Sequence, residues 1–331
     1  MTGKTARRGE RRRRRDSPAA IRLIGPAGER VDLRRTLLSH GCAQLPPMRI
    51  DEKAASLDLT LPLARGSVRT IRIAPAGATR VGGDHGAGAP AASVEILGAS
   101  ASPRAARSAL AAARHLLRLD EDFSGFYAAA ASDPELAWVT QGAGRMLRSP
   151  TVFEDVVKTI CTTNCAWSAT ERMVSALVEH LGERAPGAPA TGVEGRAFPT
   201  PAAMAEAGDD FYTRVVRAGY RGRYLRDLAR AVAEGELDLE ALASASREEL
   251  PDDEVHARLL TLPGVGPYAA AHVMLMLGRY SRLILDSWTR PTYARLAGKR
   301  RVADRTIERR YRRYGPYAGL AFWLFLTRDW V

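Results

Sequence analysis

Apolar and polar positions follow two different spacings along this chain. From about residue 20 to residue 100 they alternate. Ile21-Arg-Leu-Ile24, Glu29-Arg-Val-Asp-Leu33, Leu57-Asp-Leu-Thr-Leu61, Val68-Arg-Thr-Ile-Arg-Ile73 and Ser93-Val-Glu-Ile-Leu97 read as half-buried strands. Gly25-Pro-Ala-Gly28 joins the first two as a turn, and Leu33 to Ser39 reads as a short helix. Residues 74–92, rich in Gly, Ala and Pro, read as a long loop. Ser102-Pro103 predicts a helix through Leu119, with serine as N-cap and proline at the first helical position. Residues 19–118 are therefore expected to form an antiparallel sheet with one or two helices.

Beyond residue 119 the apolar positions recur at helical spacing. Helices are predicted from Leu119 to Ala131, from Ser149 to Ile160 and from Glu171 to Leu181. Arg184 to Thr200 reads as a linker, with a helix starting at Pro201. Ala229 to Leu242 reads as two short helices around Gly235. Gly315 to Phe325 reads as an aromatic helix that seals a core. The chain is thus of the α+β class, with a smaller sheet domain ahead of a mostly helical one.

Charge changes the picture. The net charge of +12 points to a polyanionic partner. Part of it lies in an arginine run, Arg11 to Arg15, within a tail of residues 1–18 that reads as disordered. Arginines at 214, 217, 221, 223 and 226, interleaved with Tyr220 and Tyr224, remain in the body. Three cysteines are too few for a disulfide framework and suggest a reducing compartment, the nucleoid-associated cytoplasm if the source is bacterial. Cys161 and Cys165 lack the further cysteines that a metal or iron–sulfur site would need, so no cofactor is expected. No apolar run reaches membrane-spanning length.

The most informative stretch runs from Leu259 to Asp286. Pro263-Gly-Val-Gly266 is a tight turn between two helical patterns. A glycine-rich hairpin opening a helix aims free backbone N–H groups at one point, which suits a phosphate. Asp286 follows three apolar residues and stands where an N-cap would.

Leu262-Pro-Gly-Val-Gly266 with Asp286 beyond it resembles the helix-hairpin-helix DNA glycosylase superfamily, nearest its 3-methyladenine glycosylase II branch. Leu119-Asp-Glu-Asp-Phe123, Gly144-Arg-Met-Leu-Arg148, Phe153-Glu154, Ile160-Cys-Thr-Thr-Asn164 and Gly219-Tyr-Arg-Gly-Arg-Tyr-Leu225 extend the likeness. The specific motifs span residues 119–331, with the hairpin unit at 259–279, and the sheet domain matches only in pattern. The resemblance implies a monomer that flips a damaged base out of double-stranded DNA and cleaves its N-glycosidic bond in base excision repair.

It assigns Asp286 as the catalytic carboxylate. Gly264, Val265 and Gly266 would grip the DNA backbone, with Arg221 nearby and Asn164 in the space the flipped base leaves. Tyr268, His272 and Trp288 become base-pocket candidates. Trp167 reads as either a core or a stacking residue, with the core favoured. Bifunctional relatives carry a lysine two residues beyond the last hairpin glycine; Tyr268 stands there, so the chain reads as monofunctional. Of the four lysines, Lys158 is only a remote candidate. The absence of cysteine after Cys165 excludes the four-cysteine cluster of endonuclease III-like relatives. The backbone carbonyls of Leu260, Leu262 and Val265 match a monovalent-cation site of several relatives. Pro291 departs from the family, and a helix starting near it or kinked by it is expected. An alkylated purine is the first expected substrate. An oxidised-purine glycosylase/lyase and a non-catalytic DNA-structure binder are the alternatives.

Overall fold

The strand signals of the first hundred residues meet in one antiparallel sheet. The computed structural model describes residues 19–77, 90–98 and 101–331, so the basic tail and most of the Gly/Ala/Pro segment lie outside the described residues. β1 (Ala19–Arg22), β2 (Met48–Asp51), β3 (Ser56–Pro62), β4 (Val68–Pro75) and β5 (Ala91–Ile96) pair in the order β1-β5-β4-β3-β2. Leu57, Leu59, Ile71, Ile73 and Val94 bury one face, packed with Ala105, Ala109, Ala113 and Leu116. Those four belong to α2 (Pro103–Leu116), whose Ser102 hydroxyl accepts the Ala105 N–H at 3.2 Å, the predicted cap.

Two expectations change here. The stretch 29–33 is no strand: it makes a single bridge, Ile24 with Arg30, before α1 (Leu33–Leu37) begins. Glu29 instead turns inward to an ion pair described below. β2 was not foreseen, because four residues behind a Pro-Pro pair carry too little alternation to register.

The helical part comprises α3 (Ser124–Ala131), α4 (Val152–Thr162), α5 (Trp167–Leu181), α6 (Pro201–Glu206), α7 (Arg221–Ala233) and α8 (Glu240–Ser244). It continues with α9 (Asp252–Leu260), α10 (Pro267–Leu277), α11 (Thr289–Leu296), α12 (Asp304–Tyr311) and α13 (Ala318–Thr327). The helix predicted from Ala229 in fact starts at Arg221. α11 begins at Thr289, two residues before Pro291, as the expectation of a helix starting near the proline has it. Pro291 is the third residue of the helix, where no intrahelical acceptor awaits its missing N–H.

α10 is apolar on every side and buried from Ala269 to Leu277. Ala269, Ala270, Val273, Met274 and Leu277 join the core of α4, α5, α7 and α9. Ala271, Leu275 and Met276 join the aromatic core of α3, α11 and α13. Apolar residues all round mark a helix enclosed by others, and α10 is the shared wall of both cores.

Two buried guanidinium groups tie the segments around it, and one of them, Arg118, reaches α10 itself. Arg118 Nε donates to the Met146 carbonyl at 2.7 Å, and its other nitrogens reach Glu121 and the Met276 carbonyl of α10. Arg145 is fully buried. It pairs with Glu29 of the sheet domain at 2.7 Å, donates to the Glu121 carbonyl at 2.8 Å and to that of Arg118, and lies over the Phe123 ring. The Gly144-Arg-Met-Leu-Arg motif therefore joins the two domains. Removing one partner of such a pair strands a buried charge, at a cost of about 3–5 kcal/mol. Arg145→Met is expected to lose stability on that scale in urea denaturation, and adding Glu29→Gln to recover part of it.

Candidate active site

The hairpin is set by its two glycines in different ways. Gly264 has φ +77°, in the left-handed region, and a Cβ there would lie 2.8 Å from Cδ2 of Tyr224. Gly266 has extended φ, and a Cβ on it would meet nothing within 4 Å. Its bareness serves the space outside the chain rather than the fold. Val265 turns its side chain into the core, leaving its backbone at the tip. Pro267 opens α10 and carries no N–H. The N–H groups of Tyr268 and Ala269 fall in the first turn, where a helix offers no partner.

Beyond α10, Leu283 to Leu285 pack inward and deliver Asp286 to the start of α11. Asp286 Oδ1 accepts the N–H groups of Trp288 at 2.8 Å and Thr289 at 2.7 Å. Thr289 Oγ1 accepts the Asp286 N–H at 2.8 Å. The expected capping role is thus real, and it holds the carboxylate in place. Oδ2 has no hydrogen-bond partner among the described residues.

Asp286 lies on a cleft of about 1130 Å³ together with Tyr268, His272, Trp288, Asn164, Gly264 and Gly266. Three tryptophans form one wall: Trp288, Trp323 and Trp330, with ring centres 5.7–5.8 Å apart. Trp288 and Trp330 are about 40% exposed, which is unusual for so large an apolar ring. The sheet domain adds Gly41 and Cys42, and Cys42 Sγ lies 3.6 Å from His272 Nε2. Burial holds the His272 imidazole down to about 4 and pushes the Tyr268 hydroxyl up to about 12 and the Cys42 thiol up to about 12. These three are uncharged at neutral pH. A carboxylate therefore faces a neutral, aromatic cleft.

Asn164 sits at the turn between α4 and α5 with φ +47°, which asparagine tolerates better than most residues. Its Nδ2 donates to the Tyr220 hydroxyl at 3.3 Å. Tyr220 packs edge-on to Tyr224, the ring beneath Gly264. A single segment, 220–224, thus props both the Asn164 turn and the hairpin.

Arg221 is corrected by this geometry. It is buried, not free to meet DNA. Its Nε donates to the Thr163 carbonyl at 3.0 Å, and the guanidinium lies 4.5 Å over Tyr220. Its position at the first turn of α7 points it at the α4–α5 turn, so it secures Asn164 from behind. Trp167 is also corrected: it is 40% exposed on the cleft, its ring beside Gly41. Lys158 is buried in a 2.7 Å ion pair with Glu154 and does not line the cleft. The Leu262 carbonyl accepts the Val265 N–H at 3.1 Å and keeps a second lone pair.

Sequence reasoning missed Gly41, Cys42, Tyr220, Trp323 and Trp330. One signal was available. Of the five tryptophans in the chain, four line the cleft.

No family model matches the chain. It is 31% identical over 298 residues to N-glycosylase/DNA lyase OGG1 of Arabidopsis thaliana, covering 81% of this chain and 77% of that relative. The chain belongs to the helix-hairpin-helix DNA glycosylase superfamily. Its fold is that of the 3-methyladenine DNA glycosylase of Archaeoglobus fulgidus, with a TM-score of 0.68 at 19% identity over 94% of this chain and 98% of that one. It is also similar to the 8-oxoguanine glycosylase/lyase of Clostridium acetobutylicum solved with double-stranded DNA, with a TM-score of 0.64 at 22% identity over 91% and 93% of the two chains. The protein is a DNA glycosylase and binds DNA.

The two hairpin glycines of this glycosylase should respond differently to a methyl group. Gly264→Ala meets both left-handed strain and Tyr224, and should lose about 1–3 kcal/mol in thermal denaturation. Gly266→Ala should stay within about 0.5 kcal/mol of wild type. Any defect it has should appear in DNA-binding titrations instead.

Proposed function

We propose that this glycosylase is monofunctional and hydrolyses the N-glycosidic bond of an alkylated purine in base excision repair. The observation that carries this reading is a carboxylate facing three tryptophans, with Tyr268 where a lyase carries its amine. An alkylated purine is positively charged. Tryptophan faces attract a cation, more strongly when it is desolvated. The same charge makes the base a good leaving group, so a modest site suffices.

The hairpin backbone at Gly264 to Gly266 and the first turn of α10 would bind a DNA phosphate. Its carbonyls at Leu260, Leu262 and Val265 are a hard oxygen set, of the kind that suits an alkali cation. A base inside a duplex is out of reach, so it must rotate into the cleft at a cost of a few kcal/mol. Asn164, held by Tyr220 and backed by Arg221, supports the opened stack. As the bond to the base breaks, positive charge grows on the sugar. Asp286 Oδ2 stabilises that charge or orients the attacking water, as glycosidase carboxylates do. The cap hydrogen bonds on Oδ1 keep the carboxylate oriented while this happens.

A second reading has support too. The Arabidopsis relative is named a glycosylase/lyase, and the Clostridium structure is titled for 8-oxoguanine. Lyase action requires an amine to form a Schiff base with the sugar. No lysine lines the cleft among the described residues. That favours the monofunctional reading.

The test is base release from duplexes carrying one lesion each, for wild type and Asp286→Asn. Wild type is expected to release an alkylpurine, with strand breaks appearing only after alkali. Asp286→Asn should be slower by roughly 10²–10³-fold, the scale of losing one preorganised electrostatic group. Release of 8-oxoguanine with a borohydride-trapped adduct would favour the lyase. Tight binding without release of any base would favour a non-catalytic DNA binder.

A further inference from the structure

Beside the cleft lie three buried side chains to which the proposed function gives no step, among them His272, a base-pocket candidate on sequence. His40 precedes the short turn Gly41–Gln44 that follows α1 in the sheet domain, Cys42 lies within that turn, and His272 comes from α10. All three are buried. One donor atom from each lies within 4.8 Å of the others. Cys42 Sγ and His272 Nε2 are 3.6 Å apart. Two donors on one zinc-sized ion, at roughly 2.0–2.3 Å each, stand about 3.5 Å apart in tetrahedral geometry. The Cys42–His272 pair is already at that spacing, and a shift of about 1 Å brings the third donor into range.

The hydrogen bonding points the same way. His40 Nε2 lies 2.6 Å from the Leu147 carbonyl, which can only accept. That bond places the proton on Nε2 and leaves a lone pair on Nδ1. Nδ1 of His40 is buried with no hydrogen-bond partner. Buried polar atoms are nearly always satisfied, and an orphan costs about 1–3 kcal/mol. An imidazole held through its far nitrogen by a backbone carbonyl is the usual arrangement of a metal-bound histidine.

We propose that His40, Cys42 and His272 bind a divalent transition-metal ion of the zinc type. Two imidazoles and one thiolate suit a borderline-soft ion and exclude magnesium or calcium. Binding displaces the thiol proton of Cys42 to solvent. Cys42 and His272 also line the cleft, so the fourth position of the ion opens toward it. Because the ligands come from both domains, the ion ties the sheet domain to the hairpin helix. This site does not depend on which base the enzyme removes.

Cobalt(II) titration of the reduced, chelator-treated full chain tests the assignment. One cobalt per chain is expected, with a thiolate-to-metal absorption band that zinc abolishes stoichiometrically. Cys42→Ser should lose the band while keeping the far-ultraviolet dichroism of wild type. His40→Gln should weaken binding by more than the roughly 10–100-fold that loss of an outer-shell partner costs. The double variant Cys161→Ser/Cys165→Ser should bind as wild type does. Zinc should raise the melting temperature of wild type and not that of Cys42→Ser. If Cys42→Ser fails to fold, His40→Gln and the double variant still decide. Absence of a band in wild type, or a band that survives in Cys42→Ser or His40→Gln and vanishes in the Cys161/Cys165 variant, overturns the proposal.

Discussion

Two guanidinium groups with no access to water hold this molecule in register. Through their terminal nitrogens, and for Arg118 also through Nε, Arg118 and Arg145 each donate to backbone carbonyls and one carboxylate across segments far apart in sequence. Arginine suits the task because its planar fork offers five donors in fixed directions and never loses its charge. Arg118 reaches the C-terminal end of α10, and Arg145 reaches Glu29 of the sheet. The helix that carries Tyr268 and His272 is thereby referenced to the domain that carries Cys42.

The hairpin and the catalytic candidate were legible in the sequence because both depend on local chemistry. Pro263-Gly-Val-Gly266 needs a left-handed glycine wherever it folds, and Asp286 caps a helix whose start its own side chain defines. Asn164 was legible for the same reason, as a turn residue with positive φ. Arg221 shows the limit. A basic run with tyrosines looks like a DNA-facing surface, yet where each arginine points is decided by helix phase, and Arg221 faces inward. Glu29 fails in the same manner: its alternating neighbours suggest a strand, and a partner 116 positions away takes the side chain elsewhere.

The tryptophan wall was illegible because it is assembled across the fold. Trp288 lies at the start of α11, Trp323 inside α13 and Trp330 just beyond it. Trp323 is buried, and its indole N–H donates to the Ser39 carbonyl at 2.8 Å. Trp288 and Trp330 share its edge and stay open to the cleft. A buried, hydrogen-bonded ring thus supports two exposed ones. That keeps a large apolar surface rigid where solvent would otherwise disfavour it.

The brace formed by Tyr220, Arg221 and Tyr224 has a mechanical meaning. It links the hairpin and the Asn164 turn by direct contact, through two tyrosines and an arginine at one helix start. The hairpin and the Asn164 turn, which the proposed function assigns to the DNA backbone and to the opened stack, are thereby referenced to one common helix start.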